Sequence, residues 1–119
     1  MALYCAELGV LISGDMLLPR ISTNISVFAA TPEADALRWY LDSLDDMARE
    51  LPESTLVLPS HGLPFTGVQE RVQALQAHHE ERLQVLENSC EQAPQSAAGL
   101  LDVLFNRALD THQTMFAMG

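Results

Sequence analysis

A chain of 119 residues has room for one ordinary domain, or for part of a larger one. Its composition, 48% hydrophobic, is that of a folded globular protein, and no apolar run approaches the roughly 18 residues of a membrane span. Sixteen acidic residues face six basic ones, all arginine, for a net charge of −10, which repels phosphate backbones and lacks the clustered cations of nucleic-acid binders.

The first residues are not a basic stretch followed by an apolar one, so no secretory leader is read there and a cytoplasmic protein is expected. Cys5 and Cys90 have no paired spacing. Both are expected as idle thiols, Cys5 as a small hydrophobe within an apolar strand.

Residues 2–6 read as a strand and Glu7-Leu8-Gly9 as a turn in which Gly9 is free to take positive φ. Val10-Leu11-Ile12 follows as the second arm of a hairpin. It is apolar without alternation, the pattern of a strand covered on both faces. Ser13-Gly14-Asp15 ends it. Residues 16–30 have no clear period, and Pro19 with Ser22-Thr23-Asn24 marks them as a loop. Ile21, Ile25, Val27 and Phe28 predict that this loop is ordered and lies over or beside a site.

Thr31-Pro32-Glu33 predicts a helix start, with threonine as N-cap, proline at the first helical position and an acid in the first turn. Leu37, Tyr40, Leu41, Leu44, Ala48 and Leu51 share one face at helical spacing, and Pro52 stops the helix. Residues 55–58 form the next strand, which runs into Pro59-Ser60-His61-Gly62. Thr66 and Gln69 have capping-box spacing at the head of a long helix. Its stripe is Val68, Val72, Leu75, His79, Leu83 and Leu86, and its expected end is near Asn88. His78 and His79 are adjacent, so their side chains point about 100° apart, whereas two helical metal ligands need i and i+4. His79 is expected on the packed stripe and His78 in solvent. Pro94 breaks the chain. Ser96 then caps a helix holding Leu100, Leu101, Val103, Leu104 and Phe105, and Asp110-Thr111-His112-Gln113 begins another.

Two strand ends carry chemistry. Asp15 offers a carboxylate that can bridge two cations, and His61 a neutral nitrogen for zinc. Ends of strands in open α/β sheets are where ligands bind. Read from the residues alone, Asp15 also suits a turn former and His61 a loop residue.

Leu11-Ile12-Ser13-Gly14-Asp15 with Leu17, and Val57-Leu58-Pro59-Ser60-His61-Gly62, resemble the last two metal motifs of the metallo-β-lactamase-fold hydrolases. The resemblance extends over essentially the whole chain. It implies an α/β fold: the C-terminal portion of a four-layer αββα metallo-β-lactamase sandwich over residues 1–90, then the start of a small helical, winged-helix-like module over residues 91–119. It assigns Asp15 as the metal-bridging aspartate and His61 as the final histidine ligand. The family's H-x-H-x-D-H signature and a further histidine before the aspartate are missing, for the histidines here are His61, His78, His79 and His112. A catalytic zinc site takes three protein ligands. The chain is therefore expected to be part of such an enzyme, inactive alone, with no catalytic residue of its own beyond the metal pair.

In the whole protein the resemblance implies two zinc ions, or in some members iron or manganese, that activate water. Family substrates include thioesters, lactones, β-lactams and phosphodiesters. The acidic charge favours a small acyl substrate of thioester or lactone type. Arg20, Ser22 and Asn24, directly after the aspartate motif, are candidates for substrate contact. No nucleic acid or membrane is expected as partner. A sheet edge left open predicts self-association into a homo-oligomer. Two other readings remain: a non-catalytic helical interaction module, and a nucleic-acid-binding winged-helix-like domain.

Overall fold

The computed structural model describes residues 1–105 and 109–118. Among the described residues three strands and four helices follow one another as β1 (Leu3–Cys5), β2 (Val10–Gly14), α1 (Ala36–Glu50), β3 (Leu56–Pro59), α2 (Val68–Gln92), α3 (Ala97–Leu104) and α4 (Thr111–Met118). They form two compact units. One comprises Met1–Ile25 with Asp35–Gln76, the other Ser26–Ala34 with Ala77–Gly119.

In the first unit the sheet order is β1-β2-β3. β1 and β2 make the expected antiparallel hairpin, with Gly9 at φ +61°. β2 and β3 are parallel, joined by a crossover that contains α1, and Leu11 pairs with Val57. These two side chains face the core with Leu17, Tyr40, Leu44, Val68, Val72 and Leu75. Removing each large aliphatic chain from water stabilises the unit by about 1.5–3 kcal/mol before chain entropy is counted. Among the described residues the opposite face of the sheet is left exposed. Ile12 is 53% exposed and Leu3 60%, so β2 alternates where a strand buried on both faces was expected. Cys5 lies on β1 and is exposed, as is Cys90, and both are free thiols; Cys5 is not the packed hydrophobe its apolar surroundings predicted.

α1 starts later than the sequence pattern predicts. The Thr31 carbonyl accepts from the Ala34 N–H in a turn around Pro32, and Asp35 caps the helix by accepting from the Arg38 N–H. A carboxylate at this position satisfies an orphan donor and meets the positive end of the helix dipole, which favours it over Thr31. The helix ends as expected, because the residue before Pro52 is forced into extended backbone, as Leu51 is.

The capping box at α2 does not form as its spacing implies. The Gln69 amide instead donates to the Ala48 and Leu51 carbonyls, groups that the end of α1 leaves without helical partners. Gly67, at φ +87°, starts the helix, and its carbonyl accepts from the Arg71 N–H. Burial along α2 covers Val68, Val72 and Leu75; Leu83 is 41% exposed, and the helix runs to Gln92.

In the loop after β2, Ile25 alone of the four expected anchors packs on the core, while Ile21, Val27 and Phe28 are exposed. Leu17 and Leu18 are buried instead. Arg71 pins this loop to α2: its Nε donates to the Leu18 carbonyl at 2.6 Å and its Nη2 to the Ile21 carbonyl at 3.1 Å.

In the second unit, Ser96 caps α3 by accepting from the Gly99 N–H, as expected. Asp110 and Gln113 form a reciprocal capping box at α4, each side chain accepting from the other's backbone N–H. The Arg82 guanidinium lies 5.1 Å from the centre of the Phe105 ring, a cation–π contact. His79 is half-buried and its pKa is lowered, first by loss of hydration and then by His78 and Arg82 beside it. Among the described residues no helix is long and apolar enough to cross a membrane.

Candidate metal centre

The parallel pairing of β2 and β3 brings their C-terminal ends side by side. The register slips between Ile12 and Gly14, so Gly14 pairs with Pro59. This irregularity buries Ser13, whose hydroxyl donates to the Leu17 carbonyl at 2.9 Å and closes the turn from within. Gly14 takes φ +55°, and Asp15 emerges into solvent at the end of the sheet.

On the other strand, Val57 has a second partner. Its backbone exchanges two hydrogen bonds with Phe65, at 2.7 and 3.1 Å, and so closes a loop over residues 58–64. That loop carries Ser60 and His61. The Ser60 N–H donates to the Gly14 carbonyl at 3.1 Å, and its hydroxyl donates to Asp15 Oδ1. His61 Nε2 lies 3.6 Å from the same Oδ1, with the histidine side chain 70% and the aspartate 62% exposed.

A separation of 3.6 Å is too long for a hydrogen bond. Two donors on one tetrahedral zinc, each about 2.0–2.2 Å from it, stand about 3.4 Å apart. Carboxylate oxygen and imidazole nitrogen are both zinc donors, and at this spacing they fit two positions of one site. The set is partial, for among the described residues no group of three or more histidine, cysteine or acidic side chains is gathered where it could hold a metal ion.

Beside His61 opens a cleft of about 500 Å³, walled by Pro19, Ile21, Leu63 and Phe65, with Arg20 also lining it. Of the three residues expected at substrate, Arg20 lines this cleft with His61, while Ser22 and Asn24 are not among its lining residues. The Ser22 hydroxyl donates to the Thr23 carbonyl. Ile21 lies on the loop expected beside a site, whereas the role of Ser60 and the walls Pro19, Leu63 and Phe65 were not singled out by residue patterns. The signal for Ser60 was its place between the strand and His61.

The family model described as metallo-beta-lactamase-like, C-terminal domain, matches residues 83–119. The crystal structure of a beta-lactamase domain protein from Burkholderia ambifaria is 52% identical and superposes with a TM-score of 0.94 over 99% of this chain and 35% of that one. A metallo-beta-lactamase family protein from Thermus thermophilus is 33% identical, with a TM-score of 0.78 over 98% of this chain and 36% of that one. The chain thus spans about a third of the length of these structures. No curated protein matches it.

Proposed function

This chain belongs, as a C-terminal portion, to the metallo-beta-lactamase family, and from that premise we propose that Asp15 and His61 are two ligands of a hydrolase's metal site. The remaining ligands belong to the two thirds of the relatives' length that this chain does not match. The observation that carries the proposal is the convergence of Asp15 Oδ1 and His61 Nε2 at 3.6 Å from the ends of two neighbouring parallel strands.

Zinc is the metal we propose, in a two-metal site, with iron or manganese as alternatives that the same donors accept. Such a metal supplies a water of lowered pKa and polarises the bond under attack. The chain's own residues hold and orient. Asp15 presents a carboxylate able to reach two cations, and His61 presents Nε2. Arg20, lining the cleft, meets an anionic group, while Ile21, Leu63 and Phe65 offer apolar contact to the rest. Ser22 and Asn24 lie on the same loop and are proposed to contact substrate parts that extend beyond that cleft. A small acyl substrate of thioester or lactone type fits these surroundings, and the net charge of −10 argues against a polyanion. The winged-helix-like reading of the last residues is proposed without a nucleic-acid role, because residues 77–119 hold six carboxylates and two arginines. Two exposed free thiols support a cytoplasmic location.

The test has two parts. Cobalt titrated into the 119-residue chain is expected to bind weakly and to shift the resonances of Asp15 and His61, with no efficient hydrolysis of thioesters or lactones. In the longer protein His61→Ala is expected to remove most of the activity. Tight stoichiometric metal at other residues, or turnover untouched by His61→Ala, would overturn the proposal.

A further inference from the structure

We propose that Ser60 is a positioning residue that holds the Asp15 carboxylate in the orientation needed of a metal ligand. The Asp15 side chain is mostly exposed. A carboxylate in that position samples several rotamers unless something holds it. Ser60 holds it twice over. Its N–H donates to the Gly14 carbonyl at 3.1 Å, which fixes the turn from which Asp15 springs, and its hydroxyl donates to Asp15 Oδ1, which fixes the side chain.

The chemistry of a hydroxyl suits this task. It is neutral, so it leaves the carboxylate its full charge for a cation. It occupies one lone pair of Oδ1 and leaves the other, together with both lone pairs of Oδ2. The oxygen it holds is the one that faces His61 Nε2 at 3.6 Å, so the bond sets the spacing between the two donors. An alanine here keeps the backbone bond and loses the side-chain one. A threonine keeps both.

The consequence for metal rests on the reading of Asp15 and His61 as ligands; the latch itself does not. Three-bond couplings of Asp15 in the isotopically labelled 119-residue chain, free of metal, report its χ1. The native chain is expected to show a single rotamer, Ser60→Ala averaged couplings, and Ser60→Thr the native values. Cobalt titration of the same three proteins is expected to show affinity about tenfold weaker for Ser60→Ala and restored in Ser60→Thr, the size of effect seen when an outer partner of a ligand is removed. Identical rotamer distributions in the native chain and Ser60→Ala overturn the inference. So does unchanged cobalt affinity in a variant whose Asp15 has been released. A latched Asp15 with no cobalt response at Asp15 or His61 keeps the latch and overturns the ligand assignment of the preceding section.

Discussion

Gly62 and Pro19 meet so closely that a side chain at residue 62 has no place to go: a Cβ there would lie 2.6 Å from Pro19 Cγ and 3.2 Å from its Cδ. The obstacle is a proline ring, which cannot swing aside as a flexible chain would. Gly62 also sits at φ +90°, where any residue with a Cβ is strained. The histidine loop and the loop after the aspartate are therefore fitted to each other at one backbone contact.

Gly62→Ala is expected to destabilise the chain by about 1–3 kcal/mol from backbone strain, with the clash added, and to move His61 away from Asp15. Urea unfolding measures the first effect and cobalt titration the second. Adding Pro19→Ala is expected to relieve the clash and leave the strain, so the double variant should recover part of the stability only.

Arg71→Lys is expected to loosen the loop that presents Arg20. A guanidinium reaches the Leu18 and Ile21 carbonyls together through Nε and Nη2, and an ammonium cannot reproduce that fork. Amide hydrogen exchange over residues 18–24 should rise while that of α1 stays unchanged. Equal protection in both proteins would show that the fork does not hold the loop.

Leu44 is fully buried in the first unit, and Leu83 is 41% exposed on the later part of α2. Leu44→Ala is expected to cost about 2–5 kcal/mol. Leu83→Ala is expected to stay within about 0.5 kcal/mol of the native chain. Equal losses in urea unfolding would mean that α2 buries its apolar stripe along its whole length.

The outer sheet face bears Leu3 and Ile12, both more than half exposed, next to the open edge of β1. Such a surface favours association. The chain is expected to sediment as a concentration-dependent oligomer, and Ile12→Glu to shift it to monomer. A native chain monomeric across the accessible concentration range would refute this.

His79 carries a pH signature. Its folded pKa is lowered, first by burial, so on acidification the unfolded chain takes up the proton before the folded one does. Stability contributed by neutral His79 is thus intact above the ordinary histidine pKa near 6.5 and declines as pH falls through it towards the lower folded value. His79→Gln, which cannot protonate, is expected to show a flatter stability profile between about pH 5 and 7. Parallel profiles for the two proteins would exclude the effect.

What could be read from residues alone was what depends on near neighbours. Asp15 and His61 each follow a short apolar run beside a glycine, and that local pattern made their places after two strands legible. Caps at Ser96 and Asp110 depend on residues three positions away and were equally legible. Some readings failed for want of a distant partner, and one for a choice between two neighbouring caps. Gln69 has the spacing of a capping box, yet its amide satisfies carbonyls 18 and 21 residues earlier in the chain. Ile12 belongs to an unbroken apolar run, but one face of β2 packs and the other does not, which no short apolar run can express. Thr31 and Asp35 are both good caps, and the turn around Pro32 decides between them. Ser60 needed the parallel register of β2 and β3 before its hydroxyl had anything to hold.

The loop that bears His61 begins and ends on a single core residue, since Val57 pairs with Leu11 on one side and Phe65 on the other. A loop closed in this way is a cassette. Its exposed tip can be exchanged at little cost in closure entropy, because its anchor is inside the protein, but Leu58 and Pro59 pair with Ile12 and Gly14 and Gly62 abuts Pro19, so these three are held. The side chain at residue 61, 70% exposed, can therefore be replaced and the sheet kept.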